Sequence, residues 1–275
     1  MTPLLRAAVV PFPVTVPYRT TPGPRPLVGP ALVLDDALPA ARARRLERLR
    51  DDEAGVLVRD PDRPDDPGLL AAVRAACALL PDPPQAEEPL ALARAFGLAC
   101  ADDMVVLRRR GPGRAGAELL AVAFPSGWPP RLRAGAELPA LHAPVADGQR
   151  LRDASGALSE AMLTKGPYRQ HVWGLEPDGR LDRDPSAPDA SQPSEPPPAS
   201  WWLRVETQTS IPLPHLDRAL FLIRPYLQPL TNLTGTQRRT LHDAIASMSP
   251  QALAYKGLTA VRRPMLAWLG TAPID

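Results

Sequence analysis

The sequence predicts an α+β fold, a five-stranded antiparallel sheet with helical additions at both ends of the chain. Three observations predict it. Apolar residues recur at helical spacing between about residues 38 and 98, then give way to strand-like runs bounded by Gly and Pro, and helical spacing returns after about residue 231. The expected organisation is therefore an extended arm and helical layer over 1–100, a sheet domain over 101–230, and C-terminal helices over 231–275 packed on the sheet.

Residues 1–30 hold eight prolines, which excludes a helix and predicts an arm draped over the body. Leu38 to Arg50 is an Arg-rich helix with Asp35 and Asp36 near its start, and Gly55 to Val58 is a short extended piece. Leu69 to Leu80 and Glu87 to Leu98 complete the helical layer. Met104–Arg110 and Ala117–Phe124 are strands joined by the turn GPGRAG. That turn matches GxGxxG but lies between two strands and opens no helix, so it is not a dinucleotide fingerprint. A helix follows at Ala154–Leu163, then strands at Tyr168–Leu175, Trp201–Thr209 and Ala219–Tyr226. Residues 176–200, rich in Pro, Ser and Asp, read as a disordered linker inside the sheet domain. Helices at about 235–247, 249–255 and 258–269 close the chain.

Along Ala219–Leu227, Phe221 and Ile223 point one way while Leu220, Leu222 and Tyr226 point the other. Both faces of the sheet are thus expected to be covered, one by helices and one by the wall of a pocket. A hairpin, a helical excursion and three further strands are strung in the order of a PAS-like domain.

Composition excludes several classes. The chain has 275 residues, 44% hydrophobic and 23% charged, with a net charge of +2, so no global field draws it to nucleic acid or to a membrane. The longest apolar stretch, LLAAVRAACALL, is cut by Arg74, and prolines break the N-terminal apolar run, so neither a membrane span nor a signal peptide is expected, and the location expected is cytoplasmic. Cys77 and Cys100 lack CxxC spacing and read as small apolar helix residues. GxxxxGK[ST], HExxH and GxSxG are all missing. Arg108, Arg109, Arg110 and Arg114 form a basic cluster at a turn, read as a solvated face.

Four histidines remain: His142, His171, His215 and His242. His142 sits in a proline-braced loop, where Pro144 biases Ala143 toward extended geometry. One imidazole is enough to hold haem iron, because the porphyrin supplies the other four nitrogens. A capping or surface histidine fits the same loop, and the residues alone leave both readings open. His171 and Trp173 share one face of their strand, either looking into a pocket or packed. His215 lies in a turn, and His242 on an amphipathic helix. In WWLRVETQT, alternation puts Trp202, Arg204, Glu206 and Gln208 on one face. With Arg224 on the next strand, Arg204 and Glu206 read either as a site for propionate or substrate carboxylates, or as a structural cross-strand pair.

FPSGW at Phe124–Trp128, the segment from Arg133 to Val145 ending LHAPV, Leu203–Leu230 and AYKGL around Tyr255 resemble the haem-dependent oxidative N-demethylase family. The resemblance implies a PAS-like haem domain that demethylates a small secondary amine such as dimethylamine, using dioxygen. It implies haem b, with electrons from NAD(P)H delivered through a flavin-containing reductase partner. By position, His142 corresponds to the family's histidine, taken as the axial ligand, and Arg204, Glu206 and Arg224 to its charged strand positions, with Arg204 and Arg224 the candidates for binding the cofactor. A small cationic amine wants an acceptor or an aromatic face, which makes Glu206 and Trp173 the candidates for the substrate. The chain departs from the family pattern at Ala146, at Thr207 and at His171-Val172-Trp173. A non-catalytic haem- or ligand-binding sensor module and a structural member without haem are the alternatives. The amine, the reductase and any homo-oligomer are not legible in the sequence.

Overall fold

A computed structural model describes residues 9–19, 23–63, 66–141, 149, 153–186 and 196–271. In chain order its elements are β1 (Arg25–Pro26), α1 (Leu38–Val56), β2 (Leu57–Arg59), α2 (Pro67–Cys77), α3 (Pro89–Ala99), β3 (Asp103–Gly111) and β4 (Arg114–Ala121). Then come α4 (Leu138–Leu141), α5 (Ser155–Thr164), β5 (Tyr168–Glu176), β6 (Trp202–Leu213), β7 (Arg218–Pro229), α6 (Gly235–Ala246), α7 (Pro250–Tyr255) and α8 (Arg262–Gly270). The fold is α+β, but among the described residues its antiparallel sheet has seven strands rather than five, in the order β1-β5-β6-β7-β3-β4-β2. The two additional strands, two and three residues long, pair at the outer edges and are too short to carry a period-two signal.

Local chemistry explains the element boundaries. Asp66 caps α2 by accepting from Leu69 N at 2.9 Å, with Pro67 at the first helical position. Thr234 and Gln237 form a capping box on α6, and Ser249 caps α7 ahead of Pro250. Between β3 and β4 the chain turns through Gly113 at φ 64°, a left-handed conformation that glycine adopts without steric cost. None of the helices among the described residues is long and apolar enough to cross a membrane.

The central pair β6 and β7 is in register over its full length, Trp202 against Pro229 through Leu213 against Arg218. Residues directly opposite share a face. On the first face, Trp173, Leu203, Val205 and Tyr226 pack under α6–α8 and the arm residue Val14. Further along it, Met104, Val106, Leu220 and Leu222 pack under α2 and α3. On the second face, Val105, Leu107, Leu120 and Ala219 pack against Leu138 of α4 and Met162 and Leu163 of α5. Trp128, Leu141, Leu158 and Phe221 lie partly buried against that cluster.

Two expectations require correction. The disordered linker expected over 176–200 is corrected for its described first part, 176–186: Asp182 and Asp184 are 5% and 2% exposed, and Arg48 of α1 pairs with both, at 3.0 and 3.4 Å. A Pro/Ser/Asp-rich composition lacks apolar anchors, and here buried ion pairs supply them. The basic cluster is not a free solvated face either. Arg108 pairs with Asp66 and Glu118, Arg109 with Glu160 and Asp217, Arg110 with Asp60, and Arg114 with Glu137.

Asp103, fully buried on β3, ties these layers together. Its carboxylate accepts from Arg45 Nη2 at 2.7 Å and from the backbone N–H of Ala123 and Phe124 at 2.9 and 3.0 Å. Burial pushes its carboxyl up, while Arg45 and the two N–H donors pull it back. Removing one partner of a buried ion pair strands the other charge. Asp103→Ala is therefore expected to lower unfolding stability by about 3–5 kcal/mol in urea denaturation, whereas Asp103→Asn should cost less because it retains acceptor capacity.

Candidate functional site

The strand register decides which of the sequence-derived candidates meet. Glu206 pairs with Val172 and Pro225, whereas Thr207 pairs with His171 and Arg224, and Val205 with Trp173 and Tyr226. Arg204 and Glu206 therefore lie on the second face of the sheet, and Trp173 and Arg224 on the first. The expected network joining Arg204, Glu206 and Arg224 is corrected accordingly: a one-residue offset in register puts Arg224 opposite Thr207. Trp173 and Glu206 likewise do not face one pocket. His142 lies outside the described residues, as does Ala146.

Arg204 is 2% exposed and its guanidinium is engaged by the protein itself. Nη1 donates to Leu181 O at 2.6 Å, Nη2 to Phe124 O at 2.6 Å, and Nε and Nη2 to Glu206 Oε1 at 3.3 and 3.2 Å. Its observed role is to fasten the FPSGW segment and the 177–186 segment to the central strand.

From Arg204 a polar ladder crosses the second face. Gln208 Nε2 donates to Glu206 Oε2 at 3.2 Å, and Gln170 Nε2 to Gln208 Oε1 at 2.8 Å. Beside the ladder the face is open. Val172 is 37% exposed, and a Cβ added at Gly174 would meet nothing within 4 Å. Leu141, the last residue of α4 and the residue before His142, packs partly buried against the core of this same face. A half-covered sheet face carrying one carboxylate, two amides and a bare glycine offers a flat wall with a polar margin.

On the first face Trp173 is 8% exposed and meets Tyr18 edge-on at 5.8 Å between ring centroids. His171 Nδ1 lies 3.0 Å from Thr207 Oγ1, and burial lowers the imidazole's affinity for a proton. His215 is exposed, and His242 Nδ1 lies 2.8 Å from Asp243 Oδ1. Arg224, 3% exposed, donates from Nη2 to Asp35 Oδ1 at 2.5 Å and stacks over Tyr226 at 5.2 Å. Its Nε and Nη1 have no hydrogen-bond partner among the described residues, nor do Asp35 Oδ2 and Asp102 Oδ2. β7 runs past the start of β3, and its outer edge from Arg224 to Leu227 lines a cavity of about 240 Å³. The first turn of α1, with Phe124 and Leu181, closes that cavity.

Two groups were not legible as candidates. Asp102 stands one residue ahead of β3 and carries no motif. Lys256 lies in AYKGL, yet its environment depends on contacts from β5 and the arm. Among the described residues no group of three or more His, Cys, Asp or Glu side chains is placed to hold a metal ion.

Burial pushes the Asp102 carboxyl up to about 7, against the pull of Arg224 and Arg45. An unfolded aspartate titrates near about 3.9. The folded state thus holds this proton more tightly, and stability is complete below about pH 4 and falls as pH rises toward about 7. Asp102→Asn mimics the protonated form. Its stability relative to wild type is expected to grow between about pH 4 and 7 and then level off, read from urea midpoints across that range.

The family model described as haem-dependent oxidative N-demethylase, alpha subunit-like, matches residues 75–266, from α2 into α8.

Proposed function

The chain belongs to the haem-dependent oxidative N-demethylase, alpha subunit-like, family, and from that premise we propose that it binds haem against the open second face of the sheet and serves oxidative N-demethylation of a small secondary amine. The observation that carries the placement is the bare wall formed by Val172 and Gly174 beside the Glu206–Gln208–Gln170 ladder, on the face where Leu141 packs. A porphyrin needs one flat apolar wall and one axial donor from the protein. The described residues fit the first requirement, and His142, directly after Leu141, is the residue proposed for the second.

A PAS-like reading is supported by the order β5-β6-β7-β3-β4 of the five long strands, with α5 crossing the second face in contact with β3, β4, β6 and β7. Bound there, haem would supply dioxygen activation and oxidation of a C–H bond next to the amine nitrogen. Balanced, a dimethylated amine, dioxygen, two electrons and two protons give a monomethylated amine, formaldehyde and water. The electrons are assigned to NAD(P)H through a flavin-containing reductase partner.

The chain's own residues have distinct parts in this reading. Glu206, half-buried and oriented by Arg204 and Gln208, holds the ammonium form of the amine and sets its direction. Arg204 acts as a positioning residue, because its donors already serve Phe124, Leu181 and Glu206. Arg224 and Trp173, on the other face, belong to its support rather than to the substrate wall.

Reconstitution with haemin tests the reading. The purified chain is expected to develop a Soret band that His142→Ala abolishes or shifts. Formaldehyde should be released when dimethylamine, reductant and dioxygen are all present. Gly174 carries no positive φ, so a side chain there adds no backbone strain. Gly174→Phe is expected to weaken haem uptake at least about tenfold, roughly the 1.4 kcal/mol of one lost wall contact, with an unchanged melting temperature. Haem uptake at wild-type strength in Gly174→Phe would reject the wall assignment, and no Soret band in the wild-type chain would reject haem binding.

A further inference from the structure

Of the 32 basic residues, only Lys165 and Lys256 are lysines. The difference is chemical, since an arginine stays protonated while a lysine can release its proton and become a nucleophile. Lys165 is exposed just after α5. Lys256 follows α7 and reaches the outer edge of β5, where Nζ donates to Trp173 O. Three rings surround the amine, with Nζ 5.5 Å from the Trp173 centroid, 5.8 Å from Tyr255 and 5.9 Å from Tyr18. Tyr255 is 44% exposed and Lys256 itself is half-buried, so the residue is not sealed inside the core.

We propose that Lys256 is a capture site for a small aldehyde, which its amine takes up covalently as a carbinolamine and then as an imine. The proposal rests on the functional reading above only in that oxidative demethylation releases such an aldehyde. The neutral amine adds its lone pair to the carbonyl carbon, a C–N bond forms, and a nitrogen-bound proton passes to the carbonyl oxygen. The carbinolamine then loses that oxygen as water together with the remaining nitrogen-bound proton, leaving a C=N bond. No oxidant or reductant is consumed. The protonated imine is a delocalised cation, which the faces of Trp173, Tyr18 and Tyr255 stabilise as they do the ammonium.

Burial favours the neutral amine. Burial lowers the Lys256 amine to about 8, and Glu206 of β6 and Glu176 of β5 oppose this by favouring the cation. At pH 7 roughly one amine in ten is then neutral, against roughly one in 2,500 for an ordinary lysine near 10.4. Arginine would preserve the bond to Trp173 O and the contact with the rings, but not the nucleophile.

The test adds formaldehyde and cyanoborohydride directly to the purified chain, so it does not depend on haem or turnover, and locates N-methylation by peptide mass spectrometry. Lys165 in the same molecule is the reference. At pH 7 Lys256 is expected to be methylated at least about tenfold faster than Lys165, with a rate that rises through a midpoint near 8 and then levels, while Lys165 continues to gain at higher pH. Lys256→Arg should remain folded, judged by its melting temperature, and show side-chain methylation at Lys165 alone, apart from the N-terminal amine common to both proteins. Equal rates at the two lysines, or a Lys256 rate that keeps climbing past pH 9 alongside Lys165, would overturn the proposal. A wild-type chain that fails to bind haem but still labels selectively at Lys256 would reject the demethylase reading and leave the capture site standing.

Discussion

The site depends on one buried guanidinium. Arg204 sits on β6, an inner strand of the sheet, and holds the carbonyl of Phe124, the carbonyl of Leu181 and the carboxylate of Glu206 at once. Those three partners come from segments about 80 and 20 residues away along the chain and from the same strand. Its own charge is neutralised in place, and Glu206 is left aimed along the second face rather than free to rotate. A buried Arg–carboxylate pair contributes less to net stability than to fixing a single arrangement, and that arrangement is what a binding wall requires.

The sheet keeps two chemistries apart by the alternation of its strands. On the first face, Arg224, Thr207 and His171 form a polar row between the core under α6–α8 and the core under α2 and α3. On the second, the Glu206–Gln208–Gln170 ladder borders bare glycine and valine. Lys256 stands at the outer edge of β5, where, among the described residues, β1 pairs with Tyr168 and Arg169 alone. An edge strand presents unpaired carbonyls, and the donor supplied to Trp173 O belongs to the α7 layer.

Much of this was legible in the sequence. The five long strands run eight residues or more, and each lies within a few residues of where the sequence predicts it. The charged face of β6 was legible for the same reason, because Arg204, Glu206 and Gln208 alternate with Leu203, Val205 and Thr207. The register between β6 and β7 was not. It is set by the tight turn at Pro214–Leu216 and the left-handed Asp217 at φ 52°, and a shift of one residue exchanges the faces of every partner. That is why Arg224 looked like a neighbour of Glu206 and proves to be a partner of Asp35. The burial of Asp182 and Asp184 was hidden for a related reason, as their partner Arg48 lies more than 130 positions earlier in a helix that looks merely basic.

The central claim is that the Val172–Gly174–Glu206 face, and not the cavity beside Arg224, receives the iron cofactor. Anomalous diffraction at the iron edge from crystals of the haem-loaded chain tests this directly. The account predicts a single iron peak on the second face, bonded to the imidazole of His142. An iron peak inside the cavity lined by Arg224 and Tyr226, or one coordinated by another histidine, would contradict it.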